Sequence, residues 1–180
     1  MTTAIMSGSR ELCRDGNFVE RCDRIMKLNV IPKIVSGGQT GADRAALDWA
    51  IEHGIPHGGW CPKGRLAEDG EIPKRYNLEE MRSKDYLKRT EQNIIQSDGT
   101  AIFSMKPKLT GGSKRTGEFA LKHQKPLLHI HPQIIEPGVQ LVEFIRAHGI
   151  KALNVAGPRA SGEPQIWEFV KTVMDDAFPQ

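Results

Sequence analysis

Cysteine is scarce. The 180 residues hold three, Cys13, Cys22 and Cys61, an odd number without CxxC spacing. That pattern excludes a disulfide framework and a structural zinc site, and reduced thiols predict a cytoplasmic protein. Long apolar runs are missing as well. No window approaches the roughly 20 apolar residues that span a bilayer, and the N-terminal residues lack the apolar run of a signal peptide, so no membrane partner is expected. Neither charge dominates: 25 Lys and Arg stand against 22 Asp and Glu, a net +3, too weak a field for a dedicated nucleic-acid binder. GxSxG, HExxH and a Ser/His/Asp arrangement are all absent, and so is a Gly-Lys-Ser/Thr phosphate loop.

The stretch 33–47, KIVSGGQTGADRAAL, carries the strongest signal. A short β-branched run meets three glycines, Gly37, Gly38 and Gly41, and passes into a helical pattern near Ala42. Strand, glycine loop and helix in that order suit an anion, above all a phosphate. Glycine allows close backbone approach, and the first helical turn offers unpaired N–H groups at the positive end of the dipole. Residues 36–41 read S-G-G-Q-T-G, so serine replaces the first glycine of the dinucleotide fingerprint. No acid follows the second strand to hold a ribose, which disfavours a nicotinamide carrier. Asp43 either complements the helix dipole or accepts from a ligand hydroxyl or amine.

Strands alternate with helices along the rest of the chain. Strands are predicted at 33–36, 55–60, 100–104, 125–131 and 152–156, and helices at 42–53, 81–96, 116–123, 137–148 and from Pro164 onward. Leu87, Ile94 and Ile95 are expected to face the core, with Tyr86, Arg89 and Asn93 sharing another face. Continuous apolar strands between helices predict a Rossmann-like three-layer α/β/α domain with a mainly parallel sheet, spanning 33–180. Residues 1–32 form an extension, with an amphipathic helix predicted at 17–29. Residues 61–78, rich in Gly, Pro and charge, read as a lid. Ligands of such sheets sit beyond the carboxyl ends of the strands. There Lys63, Arg65, Lys114, Arg115 and Arg159 are expected to form a basic rim. His129 and His131, two apart on one strand face, read as satisfied polar residues rather than a metal pair, and no protein-ligated metal is expected. Cys61 reads as a small buried residue.

The ordered segments SGGQTGADRAALD (36–48), GGWCPKGRLAEDG (58–70), Arg89 with Thr90 and Asn93, SDGTAIF (97–103), GGSKRT (111–116) and NVAGPRAS (154–161) resemble the molybdenum cofactor carrier family. That family is a circularly permuted branch of the Rossmann-like superfamily that contains the LOG proteins (SLOG). The resemblance covers 33–178. It implies a protein that binds and protects the molybdenum cofactor (molybdopterin) as cargo, as a carrier or storage protein without chemistry, and that forms a homo-oligomer, a dimer or tetramer. Where the branch carries GPRES, this chain has Ala160 in place of the acid.

Residue reading and resemblance together assign the phosphorylated ligand to four groups of residues. The first loop and helix give Gly37, Gly38, Gln39, Thr40, Gly41, Asp43 and Arg44. The next segments give Lys63, Arg65 and Asn93. The second glycine loop gives Gly111, Gly112, Ser113 and Thr116, and the last loop gives Gly157, Arg159 and Ser161. The alternative is a LOG-like nucleoside 5′-monophosphate phosphoribohydrolase or a nucleotide-ligand sensor. For the hydrolase, Arg89 sits on a helix similar to that of the LOG arginine. Glu118 follows Gly112 by six residues, the offset of the LOG glutamate, although Thr110 replaces the LOG proline and Thr116 falls one position late.

Overall fold

The computed structural model describes residues 32–179; the helix expected at 17–29 lies outside them. Strand β1 (Lys33–Val35) leads through the glycine loop into α1 (Ala42–Glu52), and the chain returns as β2 (His57–Gly58). It then leaves the sheet as β3 (Trp60–Cys61), the hairpin β4 (Leu66–Ala67) and β5 (Gly70–Glu71), and β6 (Glu79–Glu80). The elements α2 (Tyr86–Ile95), β7 (Gly99–Phe103), α3 (Gly111–Lys122), β8 (Leu127–Ile130), α4 (Pro137–Ala147), β9 (Ala152–Ala156) and α5 (Ile166–Ala177) follow.

The central sheet has five strands in the order β2-β1-β9-β7-β8, and every pair is parallel. Ile34 lies opposite both His57 and Leu153, and Ala101 opposite Leu128 and Val155. The fold is thus the expected Rossmann-like α/β architecture. The crossovers from β1 to β2 and from β7 to β8 run outward in opposite directions, and the last strand fills the gap between them. Such a divergence creates a crevice at the carboxyl ends of the strands.

Helices α1, α4 and α5 pack on one face over Ile34, Ala101, Phe103, Ile130, Leu153 and Val155, with Trp49 fully buried. Each fully buried Leu, Ile or Phe contributes about 1.5–3 kcal/mol by leaving water. Helices α2 and α3 cover the other face, which is more polar: Asn154 donates to Thr100 Oγ1 at 3.2 Å, and both residues are buried.

Four details depart from the sequence reading. The second strand breaks at Gly59, whose φ is 128° and where a Cβ would lie 2.1 Å from the Ser36 carbonyl oxygen. Helix α2 begins at Tyr86 rather than 81, because the Asp85 side chain caps it by accepting from Leu87 N at 2.8 Å, while residues 79–80 pair with β3. Of the three side chains expected in the core from this helix, Ile94 is buried, but Leu87 and Ile95 are 47% and 45% exposed. Helix α3 starts at Gly111, five residues before the expected 116, so the second glycine loop is its first turn.

The supposed lid is also not a lid. Residues 61–80 fold around a small core of Leu47, Cys61, Ile72, Tyr76 and Leu78 and pack behind the glycine loop. Arg65, with φ 51°, holds this unit together by donating to four carbonyls, those of Ile72 (2.9 Å), Leu78 (3.1 Å), Pro73 (3.0 Å) and Tyr76 (3.0 Å).

Candidate functional site

Beyond the carboxyl ends of β1, β7 and β9 lies a cavity of about 460 Å³, within the size range of small-molecule sites. Residues from four separated segments line it: Gly37, Gln39 and Asp43 after β1; Tyr86, Arg89, Thr90 and Asn93 on α2; Ser104, Lys106, Lys108 and the start of α3 after β7; and residues 157–159 and 161–163 after β9. Ser36 fixes the floor, its hydroxyl donating to Val155 O at 2.8 Å across β1 and β9.

The two glycine-bearing helix starts differ in charge. At α1, Ala42 N donates to Pro158 O at 3.3 Å, Arg44 N to Gln39 O at 3.2 Å, and Gln39 N to the buried Asp43 carboxylate at 3.3 Å. Leading donors are therefore occupied there, and a carboxylate holds the position an anion would take. Arg89 Nη1 pairs with the same Asp43 oxygen at 3.1 Å, and its guanidinium lies against Gly37, where a Cβ would sit 1.7 Å from Nη1. Burial pushes the Asp43 carboxyl above its ordinary value, against the pull of Arg89 and of backbone donors.

The start of α3 is open by contrast. Its N-cap Thr110 makes no side-chain cap bond, its first turn has no acid, and the bond from Lys114 N to Thr110 O at 3.1 Å marks its first turn. The amides of Gly111, Gly112 and Ser113 are thus the helix's unpaired leading donors, and all three residues line the cavity. A Cβ at either glycine would meet nothing within 4 Å. Lys106, Lys108 and Arg159 bring cations to the same cavity, Arg159 with its guanidinium 5.3 Å from the centre of the Tyr86 ring.

Gly37, Gln39, Asp43, Arg89, Asn93, Gly111, Gly112, Ser113, Thr116, Gly157, Arg159 and Ser161 all stand in the cavity wall. The remaining expected residues stand outside it. Gly38, at φ 73°, faces Leu78 and Ile72 of the small core, and Gly41 packs against the backbone of residues 158–160. Thr40 donates to Glu68, and Arg44 pairs with Asp69. Arg65 is committed to its four carbonyls, and Lys63 is exposed outside the lining. Lys114 and Arg115 pair with Glu118 at the exposed surface of α3. Of the five cations expected on the rim, only Arg159 lines the cavity; Lys106 and Lys108 take the others' place.

Ser104, Lys106, Lys108 and Glu163 also line the cavity, beyond the residues expected there. The basic loop after β7 was the available signal for the lysines; Glu163, which accepts from Met105 N at 2.5 Å, had none. Glu68 was also invisible. Its carboxylate accepts from Thr40 Oγ1 and from Ser161 N (3.2 Å) and Oγ, and its own N donates to Gln39 Oε1 at 3.0 Å. The hydrogen bonds from Ser161 and Thr40 hold the Glu68 carboxyl below its ordinary value. His129 bonds Ser104 Oγ at 2.7 Å, its pKa lowered by burial and then by His131, whose ring centre is 5.1 Å away. Among the described residues no group of three or more His, Cys, Asp or Glu could hold a metal ion, and no helix is long and apolar enough to cross a membrane.

The family model of the circularly permutated YpsA SLOG family matches residues 34–178. A solved structure from Syntrophus aciditrophicus SB, described as a "putative molybdenum carrier protein", is 49% identical, with a TM-score of 0.79 over 82% of this chain and 94% of its own. No curated protein matches the chain.

Proposed function

The chain belongs to the circularly permutated YpsA SLOG family, and from that premise we propose that it binds and protects a phosphorylated small molecule, above all the molybdenum cofactor, as a carrier or storage protein. The open N-terminus of α3 carries this reading. Three unpaired amides, a first turn without an acid and three cations in the same cavity wall suit a phosphate. The residues also fit the rest of such a cargo: the cavity lies in the size range of small-molecule sites, and Gln39 Nε2 and Arg89 Nε are buried in lining residues without a partner in the protein. The name of the Syntrophus protein supports the choice of cargo.

Holding is favoured over cleaving. Arg89 is paired with Asp43, and Glu118 stands on the exposed surface of α3 with Arg115, so the acid–base pair of a phosphoribohydrolase is not assembled around the cavity. A homo-oligomer and a cytoplasmic location belong to the same proposal. Leu87, Ile95 and Leu121 leave apolar surface on α2 and α3 for a second copy, and light scattering measures the assembly.

Mass spectrometry of the small molecules that copurify with the protein tests the cargo. A phosphorylated pterin, with saturable binding of added molybdenum cofactor, is expected. Binding of neither this cofactor nor any nucleoside monophosphate would overturn the proposal. Release of free base from adenosine or isopentenyladenosine monophosphate, above an Arg89→Ala, Glu118→Ala control, would restore the hydrolase reading.

A further inference from the structure

Two residues meet at the Asp43 carboxylate in the cavity wall, Gln39 through its backbone N and Arg89 through its guanidinium. Gln39 is 5% exposed, and its Oε1 accepts from Thr40 N and Glu68 N, both at 3.0 Å. Those two bonds fix the orientation of the amide and leave Nε2 as a buried donor with no partner. Gln39 N and Arg89 Nη1 both donate to Asp43 Oδ2, at 3.3 and 3.1 Å, while Arg89 Nε is a second buried donor without a partner. All three residues line the cavity. Buried donors without acceptors cost free energy that a bound acceptor recovers.

The geometry points to a subsite for the lactam edge of a planar heterocycle: a ring carbonyl oxygen accepts from Gln39 Nε2 and Arg89 Nε, and the adjacent ring N–H donates to the Asp43 carboxylate. A second phosphate is the wrong chemistry here, because Asp43 would repel it. An adenine edge is wrong as well, because its amino group sets donors against the Gln39 and Arg89 donors, and a site built to hydrogen-bond one pattern rejects the other. This inference rests on the reading that the ligand's phosphate lies at α3, and it specifies the opposite end of that ligand.

Calorimetric titration of the full chain with inosine and adenosine 5′-monophosphates separates the two readings. Inosine monophosphate, which carries the lactam, is expected to bind at least about 10-fold more tightly. Gln39→Glu keeps the Oε1 acceptor and removes the donor, and Asp43→Asn gives the acceptor a competing donor. Each is expected to bring the ratio to about one, with thermal melting confirming that the variants are folded. Equal affinities in the wild type, or a preference that survives in both folded variants, overturns the subsite and leaves the phosphate reading standing. Failure of both nucleotides to bind the wild type overturns the subsite, and the phosphate reading falls with it only if the molybdenum cofactor also fails to bind.

Discussion

Gly112→Asp should stabilise the protein while disabling the proposed phosphate site. Gly112 is the second residue of the 12-residue helix α3, has no positive φ, and would place a Cβ in open space, so an aspartate fits without strain. A carboxylate in a first turn that has no acid gains about 0.3–1 kcal/mol from the dipole. Replacing a helical glycine adds a few tenths more. Together about 0.5–1.5 kcal/mol is expected, which raises Tm by roughly 1–5 °C for a domain of this size. The same carboxylate competes for the amides of Gly111, Gly112 and Ser113. Two charge-assisted hydrogen bonds to a phosphate are worth about 1.5–3 kcal/mol each, so a loss of about 3 kcal/mol, or roughly 100-fold in Kd, is expected. Gly112→Ala is the control: it gains helix stability and leaves the amides accessible. Calorimetric titration with a nucleoside monophosphate, beside thermal melts of both variants, reads the two effects. Equal affinity in Gly112→Asp and Gly112→Ala would refute the placement of the phosphate at α3.

Gly59→Ala should cost about 3 kcal/mol or more, since its Cβ would strike the Ser36 carbonyl at φ 128°; an unchanged denaturant midpoint would contradict this. Arg65→Lys should cost about 1–3 kcal/mol by leaving carbonyls of residues 72–78 without donors. Faster proteolysis between residues 62 and 80 than in wild type is the expected signature, and an identical cleavage pattern counts against the clip. The lowered Glu68 carboxyl gives a pH dependence. Its contribution is fully present above the ordinary glutamate value of about 4.3 and is lost as pH falls through the lowered folded value. Wild-type Tm should therefore fall more steeply than that of Glu68→Gln between about pH 5 and pH 3, and parallel slopes would exclude the linkage.

Much of the fold was legible because its signals are local. Apolar runs such as 100–104 and 152–156 need only their own residues to mark them as strands buried on both faces, and Gly54 and Gly149 mark helix ends at the turn itself. The candidate site was legible in part for the same reason: a glycine loop, a second glycine pair and a basic loop each announce a strand's carboxyl end. Which residues line the cavity was not legible. Thr40 and Gly37 are three residues apart, yet one is drawn to Glu68, 28 positions downstream, while the other lies under Arg89.

The sequence by itself determined the alternation of strands and helices, the parallel sheet and the end of the sheet where the cavity opens, because periodicity and turn chemistry act over a few residues. The tertiary structure alone decided that β9 lies between β1 and β7, that residues 61–80 brace the glycine loop from behind, and that the open helix start is α3 rather than α1. The reason is distance along the chain. Asp43 stands in the glycine loop's own helix, but Arg89, 46 residues away, folds over Gly37 and pairs with its carboxylate, while the amides of Gly111, Gly112 and Ser113 stay unpaired in the cavity wall.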